Sequence, residues 1–115
     1  MRRRVARTLS ALAFAVPVLG ASLAAADEEP VRTIVIKDHR FHPDVIEVPA
    51  RVRVKLVVDN QDATAEEFES QDLRREKVVP GKFKAIIWVG PLPKGEYGFY
   101  GEFHQKTAQG KIIAK

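Results

Sequence analysis

Three histidines, His39, His42 and His104, stand out in this chain, together with the acidic run Glu66-Glu67-Phe68-Glu69 and with Glu102, two residues before His104. Imidazole and carboxylate are the donors of borderline and hard cations, and suit iron, Cu(II) or manganese better than Cu(I). Sulfur donors are missing: there is no cysteine, and the one methionine is Met1. Each group also has a plainer reading. A lone loop histidine is commonly a solvated polar residue, and a Glu-Glu-x-Glu run is commonly a wet face. For His42 the plainer reading is preferred, because in extended chain it points away from its neighbour Phe41, which belongs in the core.

The elements that must position these groups begin after a targeting segment. Arg2, Arg3, Arg4 and Arg7 form a cationic start, Leu9 to Leu19 is mostly apolar, and Ala24-Ala25-Ala26 is a small-residue cleavage site before Asp27. The apolar run falls short of the roughly 20 residues a bilayer core demands, and Pro17 interrupts it. Residues 1–26 are therefore expected to be a secretory signal peptide and 27–115 one small exported domain, placed in a bacterial periplasm. The chain has 19 basic and 15 acidic residues, and the four arginines of the leader account for the whole excess. Nothing in the rest suggests a nucleic-acid partner, or membrane insertion once the leader is removed.

Within 27–115 the pattern is that of strands. Val31 to Lys37 is rich in β-branched residues, Val45 to Val48 is a short second run, and Val52, Val54, Leu56 and Val58 alternate with Arg51, Arg53 and Lys55. The segment Asp38 to Asp44 contains Pro43 and reads as a loop or bulge. Gln71 to Lys77 reads as a helical turn too short to stand alone. Ala65 to Ser70 after the polar loop Asn60 to Thr64, and then Phe83 to Val89, Glu96 to Tyr100 and Lys111 to Ala114, complete a set of about seven short strands with the turn spacing of an all-β Greek-key sandwich.

The block Lys94 to Lys111 carries a resemblance. Gly95, Tyr97, Phe99, His104 and Gly110 match the cupredoxin pattern Gly-x-Tyr-x-Phe-x-Cys-x-x-His-loop-Met-x-Gly, with Gly101 in place of the cysteine and Ala108 in place of the methionine. Phe41-x-Pro43, Asn60 and Pro80-Gly81 follow the order usual in that family, and Glu66 stands where its first histidine ligand would be. The resemblance implies that the loops bearing His39 and His42, Glu66 to Glu69, and Glu102 with His104 converge at one end of a cupredoxin-like β-sandwich. His39, Glu66, Glu67, Glu102 and His104 are the expected metal ligands, only one of Glu66 and Glu67 facing inward because Phe68 fixes the alternation. The cofactor implied is a copper or iron ion. A type 1 blue-copper centre is not expected, since it needs a thiolate and two imidazoles.

Lys37 to Phe41, Asp59 to Ser70, Arg75-Glu76-Lys77 and Gly101 to His104 are similar to the sulfur-free periplasmic cupredoxin-like component of Ftr-type ferrous-iron uptake systems, and to the cupredoxin domain of Efe-type iron transporters. That resemblance implies a part in Fe(II) oxidation, or in accepting the Fe(III) product. The implied partners are a second periplasmic metal-binding protein and an inner-membrane iron permease. Two alternatives are a metal-free envelope interaction module, which Gly101 and Ala108 favour, and a Cu(II) carrier without ferroxidase activity.

Overall fold

Alternation of apolar and polar residues makes a strand bury one face, and the third long run of the chain obeys it: Val54, Leu56, Val58 and Asn60 are fully buried while Lys55, Val57 and Asp59 are half-buried on the other face. In the computed structural model, which describes residues 10–15 and 29–115, nine strands form two sheets. They are β1 (Val31–Lys37), β2 (Arg40–His42), β3 (Val45–Val48), β4 (Val54–Asn60), β5 (Glu66–Ser70), β6 (Arg75–Val79), β7 (Lys84–Val89), β8 (Gly95–Gly101) and β9 (Gln109–Ala114), with a single 3-10 turn at Glu102–His104. Most of the expected leader lies outside the described residues; residues 10–15 are exposed and carry no regular structure. Among the described residues no helix is long and apolar enough to cross a membrane.

One sheet has the order β2-β1-β4-β7 and the other β3-β9-β8-β5-β6. β1 pairs parallel with β4, and β3 parallel with β9; the remaining pairs are antiparallel. The chain thus crosses repeatedly between sheets, as a Greek-key sandwich does. Ile34, Ile36, Leu56, Val58, Phe68, Phe99 and Ile112 fill the space between them. Toward one end three rings pack together. Phe41 meets Phe99 edge-on at 5.0 Å, Phe99 stacks on Phe68 at 5.1 Å, and Phe41 approaches Phe68 at 6.2 Å. The Tyr97 hydroxyl donates to the Pro93 carbonyl at 2.8 Å, so it pins the turn ahead of β8 while its ring packs on the core.

Two strands exceed the set expected from sequence, and both have a local reason. The expected loop at Asp38 to Asp44 contains β2, because Asp38 and His39, at φ 53° and 56°, make a two-residue hairpin that pairs Lys37 with Arg40. The expected helical turn at Gln71 to Lys77 is instead a tight turn over 71–74 followed by β6. Four of the five β6 residues are exposed, and its charged side chains suit a sheet edge that must not recruit another chain. β4 also starts later than the alternation suggested, since Arg51 adopts φ 62° and its N–H bonds to the Leu92 carbonyl.

Because Phe99 touches both other rings of the trio and is 2% exposed, Phe99→Ala is expected to cost about 3–5 kcal/mol. A urea unfolding midpoint measured against the parent checks this.

Candidate metal centre

The trio of phenylalanines sets the position of the groups above it. His39 lies two residues from Phe41, Glu66 two from Phe68, and Gly101 two from Phe99. Along strands a step of two keeps the same face, so Glu66 and Gly101 sit one layer beyond the rings on the inward side. Register adds to this, since Phe68 pairs with Gly101. After Gly101 the chain makes its 3-10 turn, and the Ala108 and Thr107 N–H groups both bond back to the His104 carbonyl, at 2.8 and 3.2 Å. The Gly101 N–H bonds to the Ala108 carbonyl at 2.8 Å, which closes the loop.

Glu66, Gly101, His104 and Ala108 consequently meet. Glu66 is 1% exposed, yet none of its polar atoms lacks a partner. Its Oε1 accepts the Glu67 N–H at 3.0 Å and the Phe103 N–H at 2.9 Å, and its Oε2 lies 2.5 Å from His104 Nδ1. A buried carboxylate is tolerated only with such a full set of donors. Gly101 is required by the same packing: a Cβ there would lie 2.6 Å from Glu66 Cδ and 2.7 Å from the Ala108 Cβ. The space in which a side chain at 101 would reach a metal is occupied by the Glu66 carboxylate.

His39 joins from the β1–β2 hairpin. Its ring stacks on that of His104 with centroids 3.6 Å apart and planes 13° from parallel. Rings stacked face to face do not converge their lone pairs on one ion, so sharing an ion with His104 requires the His39 ring to turn. Its backbone is held from both sides. Asp62 accepts the Asp38 and His39 N–H groups at 2.8 and 3.0 Å, and the Thr107 hydroxyl donates to the His39 carbonyl at 2.5 Å. Asp62 is itself fixed by the buried Asn60, whose Oδ1 accepts the Asp62 N–H at 3.1 Å while its Nδ2 donates to the Thr64 and Val79 carbonyls. Partial burial alone would raise the Asp62 carboxyl, but the His39 and Asp38 N–H groups outweigh it and hold the group below its ordinary value.

Of the expected ligands, then, His39, Glu66 and His104 come together. Glu67 and Glu102 do not join them directly. Glu67 and Glu69 face away from the core on β5, and Glu69 pairs directly with Glu76 on one side and Tyr100 on the other. Glu67, Glu69 and Glu76 bring one carboxylate oxygen each within 4.8 Å of one another. Partial burial, a hydrogen bond with Glu69 and the charges of Glu76, Glu69 and Glu102 all push Glu67 above the ordinary carboxyl value. Tyr100 is raised by burial and by Glu102 and Glu69. The position of Glu76 opposite Glu69 depends on the register of β5 with β6, which a charged segment with the composition of a helical turn does not reveal. His42 stays apart and exposed, its Nε2 at 3.2 Å from the Lys37 carbonyl.

A two-sheet Greek-key sandwich with a histidine-bearing loop between its last two strands and a convergent polar group at that tip defines the cupredoxin class. The chain belongs to the cupredoxin-like domain family, whose profile matches residues 10–114. It is 50% identical over 80 residues to an uncharacterized protein of Rickettsia prowazekii (strain Madrid E), a match covering 70% of this chain and 64% of that relative's length. Among solved structures it is similar to auracyanin A, a "blue" copper protein from Chloroflexus aurantiacus, with a TM-score of 0.66 at 13% identity over 76% of this chain and all of that one. A copper binding protein in its apo form gives 0.65 at 17% identity, covering 74% of this chain and 86% of that one. At these identities the structural likeness speaks for the fold. The thiolate centre of a blue protein does not fit this chain, which has no cysteine and no room for a side chain at 101.

Two substitutions test this construction. Gly101→Ala is expected to destabilise the protein by about 1–3 kcal/mol through overpacking against Glu66 and Ala108, measured by denaturant unfolding. For Asp62 the sign follows from its lowered value: its contribution is complete above the unfolded value of 3.8 and is lost as pH falls through the still lower folded one. Asp62→Asn is therefore expected to be less stable than the parent at neutral pH, with the gap closing below about pH 4. Unfolding midpoints taken across that range check it.

Proposed function

We propose that this is a periplasmic metal-binding protein of a ferrous-iron uptake system, holding copper or iron at the tip that carries His39, Glu66 and His104, with Glu67 and Glu102 beside it. The observation that carries the reading is the meeting of two imidazoles and a buried carboxylate at the ligand end of a cupredoxin-like sandwich from which sulfur is absent. Imidazole and carboxylate select borderline and hard cations over Cu(I). The outward carboxylates Glu67, Glu69 and Glu76 add oxygen donors beside that tip, and oxygen donors favour the ferric over the ferrous ion, which eases oxidation of Fe(II). The resemblance to Ftr-type and Efe-type components supplies the partners: a second periplasmic metal-binding protein and an inner-membrane permease that takes the iron on.

A second reading draws on the closure of the interior by Glu66 and on Phe103, which is 50% exposed beside His104. Here the sandwich serves as a metal-free interaction module of the envelope. Calorimetric titration with Cu(II), and with Fe(II) in the absence of oxygen, separates the two. Binding that weakens at least about tenfold in His104→Ala supports the first. No heat with either ion overturns it in favour of the second. Cu(II) binding without any Fe(II)-dependent oxygen consumption would make the protein a copper carrier.

A further inference from the structure

Which atoms at the tip can face a cation is decided by the hydrogen bonds already made there. Glu66 Oε1 receives two backbone N–H groups, one from its own strand at Glu67 and one from the 3-10 turn at Phe103. A carboxylate so engaged is an acceptor at its other oxygen as well, so the proton in the 2.5 Å contact between Oε2 and His104 sits on Nδ1. Nδ1 is then closed to a metal. In the neutral ring the free lone pair belongs to Nε2, which has no hydrogen-bond partner among the described residues, on a side chain 24% exposed.

Inward movement of an ion is blocked by the same carboxylate. Glu66 fills the space in front of Gly101, and the Ala108 methyl, fully buried, closes its other side. Turning Glu66 toward an ion would strip the Glu67 and Phe103 N–H groups of their acceptor and undo the tie between β5 and the loop.

We infer that Glu66 is a positioning residue and not a ligand: it fixes the His104 tautomer, and a cation at this tip binds to His104 Nε2, outside the position that the carboxylate fills. This rests on the metal-binding reading above and names its ligating atom. A carboxylate behind the imidazole fixes ring orientation and raises ligand basicity. It does so here from a buried position that solvent cannot compete for. An ion held at an outer nitrogen keeps coordination positions open to water or to groups of a second protein, which suits a cargo that must be passed on.

Long-range proton–nitrogen NMR of the nitrogen-15-labelled protein tests the assignment, first metal-free and then with Zn(II) as a diamagnetic probe. The expected result is a metal-free His104 in the Nδ1–H form, and a Zn(II)-induced shift at Nε2 with Nδ1 still protonated. A metal-free Nε2–H form, or a shift at Nδ1, overturns the assignment while leaving metal binding intact. Neither nitrogen responding, while calorimetry records Cu(II) or Fe(II) uptake, places the ion elsewhere and also overturns it. Neither responding and no heat removes the metal-binding reading itself. Glu66→Gln keeps the shape and removes the charge; it is expected to mix the two ring forms and lower Zn(II) affinity by about 10–100-fold. A variant with unchanged affinity and an unmixed tautomer would count against the role given to Glu66. Should that variant fail to fold, the parent spectra alone decide.

Discussion

A single buried carboxylate constrains the whole tip of this protein. Taking an ionised group out of water is costly unless every acceptor lone pair that matters finds a donor, and Glu66 finds its donors in three separate places: its own strand, the 3-10 turn and the His104 ring. Those demands explain features that otherwise look unrelated. Residue 101 must be glycine because the carboxylate stands where a Cβ would go, and residue 108 must be small because it closes the opposite wall. The loop must turn immediately after β8 so that the Phe103 N–H points inward. Glu66 thus serves the loop as an interior anchor, in a place where sulfur and metal would serve a blue-copper protein.

Below that anchor, the phenylalanine trio transmits the geometry of the sandwich to the site. Each ring lies two residues from a group of the tip, so packing of Phe41, Phe68 and Phe99 fixes the heights of His39, Glu66 and Gly101 together. Strands alone do not orient His39, which stands in the left-handed region at φ 56° on a two-residue turn. Histidine and aspartate tolerate that region better than most residues. Even so, the turn is held by a relay in which Asn60 fixes Asp62, and Asp62 accepts both N–H groups of the turn. The polar network therefore fixes the backbone that carries the His39 imidazole.

Much of this was legible in the sequence because it depends on alternation and on spacing. The period of two in Val54 to Val58 marked β4, and Phe68 as a core residue put Glu66 and Glu67 on opposite faces of their strand. The glycine and aromatic positions of Gly95 to Gly110 located the histidine loop. What stayed hidden depends on pairing between distant segments. β2 is three residues long and exists only because a left-handed turn folds it onto β1. β6 hid behind the charges that protect an edge, a composition equally natural to a helical turn. The stacking of His39 on His104 needs a hairpin tip and a loop separated by 65 positions to arrive face to face, and no local pattern encodes that. Asp62 and Thr107, which hold His39, are likewise visible only once the loops are in place.

Neighbouring residues on β5 divide the negative charge of this tip into two kinds. Glu66 points inward, where its charge is fully engaged; Glu67 and Glu69 point outward, where charge is in excess. On that outer face Glu69 lies directly across from Glu76, an arrangement of like charges that destabilises a sheet. Partial burial first, then a hydrogen bond with Glu69 and the charges of Glu76, Glu69 and Glu102, raise Glu67: below about the ordinary carboxyl value of 4.5 the group is neutral in folded and unfolded chain alike, and above the raised value the folded state bears the penalty. Solvent screening softens such a penalty but does not reverse it. Inner and outer carboxylates thus differ in what completes them. Glu66 is completed by the protein's own N–H groups, whereas the outer carboxylates lie on the solvent-facing side of β5 and β6.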